Sequence, residues 1–112
     1  MMPTQFAFDF TVAPTDDPEV LRLNPTRRPN AEIITRAVPG GFAVAFYVTL
    51  STSGTNSLWE EFTTRAAAIL GGCRAIAEYL EHQTSSETSK REVGQVLDWV
   101  RGIYKQNALA AA

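Results

Sequence analysis

Ser57–His82, SLWEEFTTRAAAILGGCRAIAEYLEH, decides the fold because it reads as one long amphipathic helix. Ser57 and Glu60 have the spacing of a capping box, in which each side chain bonds the backbone amide of the other residue. At about 100° per residue, an apolar stripe then recurs at steps of three and four. This stripe predicts the core face and consists of Phe62, Ala66, Ile69, Cys73, Ile76 and Leu80, flanked by Trp59, Leu70 and Ala77.

The reverse face of this predicted helix carries no charge in its middle, which is unusual for a face exposed to solvent. Ala67, Gly71 and Ala75 lie four residues apart, so they stack into a shallow seam without side chains. Gly71 and Gly72 each cost roughly 0.5–1 kcal/mol relative to alanine, which another backbone lying close would explain. Three alternatives remain for what lies against this seam: the second helix of the same chain, a second copy or a foreign partner, or solvent alone. We predict Ala67, Gly71 and Ala75 as a partner- or dimer-binding site.

A second helix is predicted from Ser89 to about Gln106, after a polar turn. Ser89 and Glu92 repeat the capping-box spacing. The apolar face of this helix, with Trp99 at its margin, consists of Val93, Val96, Leu97, Val100, Ile103 and Tyr104. Because a short connection makes two helices antiparallel neighbours, residues 57–107 are predicted to form an αα hairpin, and residues 108–112 to fray.

Three strands are predicted ahead of the helices, at residues 5–12, 31–38 and 42–50. The first and the third have the alternating pattern of a half-buried strand, and Pro39-Gly40-Gly41 supplies a hairpin turn between the last two. The phenylalanine faces of the first and third strands would form one surface for the long helix. The predicted fold is therefore α+β, a three-stranded antiparallel sheet packed on one face by a C-terminal αα hairpin, in the order βββαα.

The length of 112 residues indicates a single domain, residues 1–112, with a β-rich half at 1–56. Residues 13–30 are predicted to be a long loop, because a sheet interior does not tolerate so many prolines. These prolines are Pro14, Pro18, Pro25 and Pro29. Asp17 and Pro18 would start one short helical turn ending at Leu23.

Charge and composition argue against several classes of protein. The chain has ten Lys and Arg residues and twelve Asp and Glu residues, and its basic residues form no cluster. This balance of charge argues against a general nucleic-acid or anionic-membrane binder. The single cysteine cannot form an internal disulfide, which fits a reducing compartment. MMPTQFAFDF lacks the basic start of a signal peptide, and no run approaches the roughly 20 apolar residues of a membrane span. We expect a cytoplasmic protein without a membrane partner.

Few residues suit catalysis. His82 and Glu78 share a helix face, but no further His or Cys is spaced to complete a metal site. Cys73 faces the predicted core while His82 points away, which disfavours a Cys–His couple. We therefore predict no enzymatic activity, no cofactor and no metal.

Binding of another protein is the leading prediction. The uncharged seam supports it, and Trp and Tyr are enriched among interface hot spots. Tyr47 lies on the sheet face away from the predicted helices, and Trp99 lies on a helix margin. The predicted partner- or dimer-binding residues are Ala67, Gly71, Ala75, Trp99 and Tyr47.

A nucleic-acid-binding accessory protein is the alternative prediction. Arginines of the long loop and of the sheet edge would contact phosphates, with Tyr47 as a stacking platform for a base. These arginines are Arg22, Arg27, Arg28 and Arg36.

In general character the chain is similar to small single-domain proteins encoded by phages and mobile elements, including anti-CRISPR-type inhibitors and immunity proteins. Its size, slight acidity and lack of catalytic residues carry this resemblance, and no motif does. Such proteins act stoichiometrically, by occupying a surface of their target. The resemblance implies an inhibitor or regulator, and a homodimer is one of the expected assemblies.

Overall fold

A computed structural model describes residues 18–83 and 86–111, so the predicted strand at 5–12 lies outside the described residues. The α+β class is confirmed: an antiparallel sheet precedes two C-terminal helices. Three strands are too few, because the described part of the chain already contains five. The elements are β1 Glu19–Leu23, β2 Asn30–Val38, β3 Gly41–Thr49, β4 Gly54–Asn56, β5 Glu60–Phe62, α1 Arg65–Leu80 and α2 Glu87–Ala111.

The predicted hairpin is present as β2 and β3. Val38 pairs with Gly41, so the turn itself is Pro39-Gly40, and Gly40 has a φ of +87°. Gly41 was predicted to be a turn residue, but it is the first residue of β3. A Cβ there would lie 2.1 Å from the carbonyl oxygen of Phe62, so the second glycine is required by a neighbouring strand.

The Pro-rich segment contains a strand, which corrects the predicted loop at 13–30 and the predicted helical turn as far as Leu23. β1 pairs antiparallel with β2, from Glu19 opposite Thr35 to Leu23 opposite Ala31. Among the described strands, whose order is β1-β2-β3-β4, β1 lies at the edge, where a strand needs hydrogen bonds on one side only. Pro18 and Pro25 flank this strand and do not interrupt it.

Two short strands share the other edge of β3. β4 pairs with Tyr47–Thr49 and β5 pairs with Phe42–Val44. Between them, Ser57 bonds Phe46 twice, because its hydroxyl accepts from the Phe46 amide (3.0 Å) and its amide donates to the Phe46 carbonyl (2.9 Å). The predicted helix start and capping box at Ser57 are therefore wrong.

Helix α1 begins at Arg65, where the Thr64 hydroxyl accepts from the Ala67 amide at 3.1 Å. The predicted core stripe is confirmed within the helix, since Ala66, Ile69, Cys73, Ile76 and Leu80 are all buried, whereas Phe62 belongs to β5 and Trp59 to the loop before it. A Cβ at Gly72 would lie 3.3 Å from methyl groups of Ile33 and Val44. Gly72 thus lets α1 lie close to the sheet.

Helix α2 packs mainly against α1 and reaches Ala111. Residues 108–111 are therefore helical, where the sequence predicted a frayed tail. It begins before Ser89, and the Ser86 hydroxyl accepts from the Ser89 amide at 3.0 Å. The predicted capping box at Ser89 and Glu92 is wrong. The buried Glu92 carboxylate instead accepts from the amide (2.9 Å) and hydroxyl (2.5 Å) of Ser51, which fastens α2 to the end of the sheet.

Candidate functional site

An open groove runs along the outer side of the two helices and has a volume of about 930 Å³. We call it the helix groove. The apolar stripes of the two helices supply its floor, in which Ala77 and Leu97 are half-buried and the other residues are buried. The floor residues are Cys73, Ala77 and Leu80 of α1 and Val93, Leu97 and Val100 of α2.

Charged side chains line the rim of the helix groove on both helices. Arg74 and Glu81 flank it on the α1 side, and Asp98, Arg101 and Lys105 flank it on the α2 side; all five are exposed. Arg101 and Asp98 approach each other at 3.6 Å. An exposed pair of this kind contributes only about 0–1 kcal/mol, so both groups remain available to a partner.

Cys73 lies at the floor of the helix groove but is only 1% exposed. Burial raises the pKa of its thiol to about 11, and the neighbouring Arg74 offsets this only in part. Since the thiolate is the nucleophilic form of cysteine, this thiol is protonated at neutral pH and unsuited to covalent catalysis.

The predicted pairing of His82 with Glu78 is not a helix-face pair, because α1 ends at Leu80 and His82 follows in the turn. Both side chains are exposed. Across residues 18–83 and 86–111 no group of three His, Cys, Asp or Glu side chains is arranged to hold a metal ion.

The predicted seam lies on a different side of α1 from the helix groove. Gly71 and Cys73 are two residues apart, about 200° around the helix axis. A Cβ at Gly71 would lie 2.3 Å from the tip of the Phe62 ring, so β5 of the same chain packs there. Ala67 and Ala75 are half-buried. The close contact inferred at Gly71 is real, but its partner is a side chain that the sequence pattern assigns to the helix itself.

The two predicted aromatic contact residues lie far apart in the fold. Trp99 is half-buried and packs against the hydrophobic core. Tyr47 lies on the outer sheet face, the face away from α1, opposite Glu32 in the neighbouring strand. Desolvation and the Glu32 carboxylate raise the pKa of the Tyr47 hydroxyl.

The four arginines of the nucleic-acid alternative have different surroundings. Arg22 forms an ion pair with the buried Glu32 at 2.5 Å, and the Arg36 guanidinium lies 5.7 Å from the centre of the Trp59 ring. Arg27 and Arg28 lie in the β1–β2 turn, where both line a shallow pocket of about 520 Å³ with Tyr47. The structure therefore brings together Arg27, Arg28 and Tyr47.

Sequence reasoning placed the floor residues of the helix groove on apolar stripes but missed the groove. The pattern identifies which residues turn inward, whereas the groove depends on how far apart the helices lie.

Neither described helix has a run of apolar residues able to cross a lipid bilayer. No family model matches the chain, and comparisons with curated proteins and with solved structures find no significant similarity.

Proposed function

We propose that the protein is a non-enzymatic protein-binding module that acts in the cytoplasm as a stoichiometric inhibitor or regulator. The helix groove carries this proposal. Proteins recognise amphipathic helices by receiving their apolar face in a groove of this kind. The bound segment would lie along the floor formed by the facing stripes of α1 and α2.

The composition of the helix groove supports this function. An apolar centre surrounded by charged residues is the usual anatomy of a protein interface. Tyr104, at the groove, is 38% exposed and offers an aromatic anchor of the type enriched among interface hot spots. The rim charges would orient the partner, while the floor would provide most of the affinity.

Ala77→Lys tests this proposal because it places a charged side chain over the half-buried floor. We expect the variant to lose affinity for the protein partner by about tenfold or more, roughly 1.4 kcal/mol. Partners are first captured with the tagged wild type from the native host, and each is then purified and titrated by calorimetry. A genuine partner binds with a fixed stoichiometry.

Leu109→Lys is the matched control, since Leu109 is 88% exposed on the same helix pair and does not line the groove. It should bind the partner as the wild type does. Equal unfolding temperatures of the two variants establish that Ala77→Lys remains folded. Full affinity of Ala77→Lys for every captured protein would refute the helix groove as the binding site.

Nucleic-acid binding is the second candidate, and the shared pocket of Arg27, Arg28 and Tyr47 favours it. Two cations beside an aromatic ring suit a phosphate and an adjacent base. We expect binding of single-stranded DNA to weaken steeply with salt, and the slope of log K against log salt to fall by about 1 for each of Arg27→Ala and Arg28→Ala. Arg101→Ala is the control. Absence of binding at low salt would remove this candidate.

A further inference from the structure

We propose that the helix groove receives an amphipathic helix of a partner protein, and that the polar flanks of this partner helix are acidic. This inference rests on the protein-binding function proposed above and names the chemistry of the partner at that site. The uneven distribution of charge along the rim of the groove carries it.

The heights of the two helices relative to each other are fixed by hydrogen bonds to one short segment, residues 51–53. On α1, the Tyr79 hydroxyl donates to the Ser53 hydroxyl at 3.0 Å. On α2, the Glu92 carboxylate accepts from the amide and the hydroxyl of Ser51 at 2.9 and 2.5 Å. Tyr79 and Glu92 therefore lie at about the same level. Both helices extend from this shared level in the same direction, α1 toward its start and α2 toward its end.

Arg74 and Asp98 flank the helix groove at the same height. Arg74 lies five residues before Tyr79, which is about 8 Å from the shared level at 1.5 Å per residue. Asp98 lies six residues after Glu92, which is about 9 Å from that level. The Asp98 carboxylate also lies 3.6 Å from the Arg101 guanidinium on its own helix. One carboxylate is therefore matched against two arginines, one on each side of the groove.

The rim becomes more basic beyond this height. Lys105 lies four residues after Arg101, so the two side chains are neighbours on the surface of α2, one helical turn apart. Among the described residues that line this half of the groove, three cations thus stand against one carboxylate, Asp98. Glu81 is the charged lining residue at the other end, beside residues 51–53. The groove therefore combines an apolar floor with an excess of positive charge along one half of its length.

An acidic amphipathic helix fits this surface better than a neutral or a basic one. Its apolar face would cover Ala77 and Leu97, the half-buried residues of the floor. Carboxylates one turn apart on one flank would meet Arg101 and Lys105, and a carboxylate on the opposite flank would meet Arg74. Basic side chains at the same positions would place like charges together, which is how an interface rejects a wrong partner.

Two synthetic peptides of about 18 residues, long enough for five helical turns, test this inference. They share one leucine stripe at helical spacing and differ only in their polar flanks, which carry glutamate in one peptide and lysine in the other. Each peptide is labelled with a fluorophore and titrated with the protein at low salt, with fluorescence anisotropy as the measurement. We expect the glutamate peptide to bind about tenfold more tightly or better. Because the chain has twelve acidic and ten basic residues, a general charge effect would favour the lysine peptide instead.

Charge reversal on the rim should exchange this preference. In the double variant Arg101→Glu, Lys105→Glu, we expect the lysine peptide to bind more tightly than the glutamate peptide. A variant that failed to fold would bind neither peptide, so misfolding cannot produce an exchange. The control is Arg27→Glu, Arg28→Glu in the β1–β2 turn, which changes the net charge equally but lies outside the groove. It should keep the preference of the wild type for the glutamate peptide.

Equal affinity for the two peptides would overturn the inference. If Ala77→Lys then abolished binding of both, the groove would still bind helices, without regard to their charge. Binding of neither peptide would also overturn it, and the capture experiment with Ala77→Lys would decide the proposed function separately. A second copy of the chain is the other occupant to test, by sedimentation equilibrium. A dimer that Ala77→Lys dissociates would mean that the chain itself fills the groove and that the acidic helix is wrong.

Discussion

Gly71→Leu is expected to lower the free energy of unfolding by about 2–3 kcal/mol, the cost of overpacking a well-filled site. The Phe62 ring occupies the space that the new side chain needs, since even a Cβ would lie 2.3 Å from it. The gain in helix propensity, about 0.8 kcal/mol, only partly offsets this cost. Urea denaturation of the two proteins measures the change.

A double-mutant cycle identifies the cause of this loss. Phe62→Ala removes the ring, so the double variant Phe62→Ala, Gly71→Leu should be more stable than the sum of the two single changes predicts, by more than about 1 kcal/mol. Gly94→Leu is the matched control, because a Cβ at Gly94 meets nothing within 4 Å. It should gain about 0.5–1 kcal/mol from helix propensity. Additive changes in the cycle would mean that Phe62 does not fill the space beside Gly71.

Glu92→Ala is expected to cost about 2–3 kcal/mol, because it removes two hydrogen bonds to a charged, buried carboxylate. Glu92 is 5% exposed and is the connection between α2 and Ser51 at the end of β3. Glu78→Gln, on the exposed face of α1, should change stability by less than about 0.5 kcal/mol. A loss at Glu92 no larger than that of this control would contradict the role of the connection.

The pH dependence gives a second measure of the same contact. Burial alone would raise the pKa of the Glu92 carboxyl, but hydrogen bonds from Ser51, with Arg91 and Arg28 nearby, lower it below its ordinary value. A lowered folded-state pKa means that the stabilisation is complete above the unfolded pKa, near 4.5, and is lost as pH falls through the folded pKa. The stability difference between wild type and Glu92→Gln should therefore be largest at pH 7 and shrink below about pH 4.5. A difference that stays constant down to pH 3 would show that the ionised carboxylate is not the stabilising form.

The β2–β3 hairpin and the core face of α1 were predictable because their signals are local. Large and small residues alternate in β3 directly after the Pro39-Gly40 turn, which favours the pairing register that buries the large residues. The apolar stripe from Ala66 to Leu80 likewise follows the helical period of steps of three and four, over a length typical of a helix. In both segments the local pattern agrees with the packing that the whole fold requires.

The start of the long helix was mispredicted because a strand imitated helical spacing. Phe62 lies four residues before Ala66, so it extends the apolar stripe although it belongs to β5. Glu60 completed an apparent capping box with Ser57, whose hydroxyl in fact bonds the Phe46 amide. Thr64, a favourable residue for a helix start, was the signal for the true boundary.

The helix groove was less predictable than its residues. Leu80, Leu97 and Val100 were all expected on apolar faces, yet their position at an open groove depends on the separation of two helices. Sequence periodicity contains no information on that separation. The β1–β2 turn, which brings Arg27 and Arg28 to Tyr47, was not predicted for a different reason. The four prolines of residues 13–30 indicated a loop where β1 forms.

The divided edge of β3 also limits how this protein can aggregate. An uninterrupted edge strand presents a row of amides and carbonyls on which another chain can add a strand. Here that edge is covered by β4 and β5, each three residues long, with the Ser57 bonds between them. Neither piece is long enough to template a continuous ladder with a foreign strand. Growth of fibrils from this side of the sheet is therefore disfavoured.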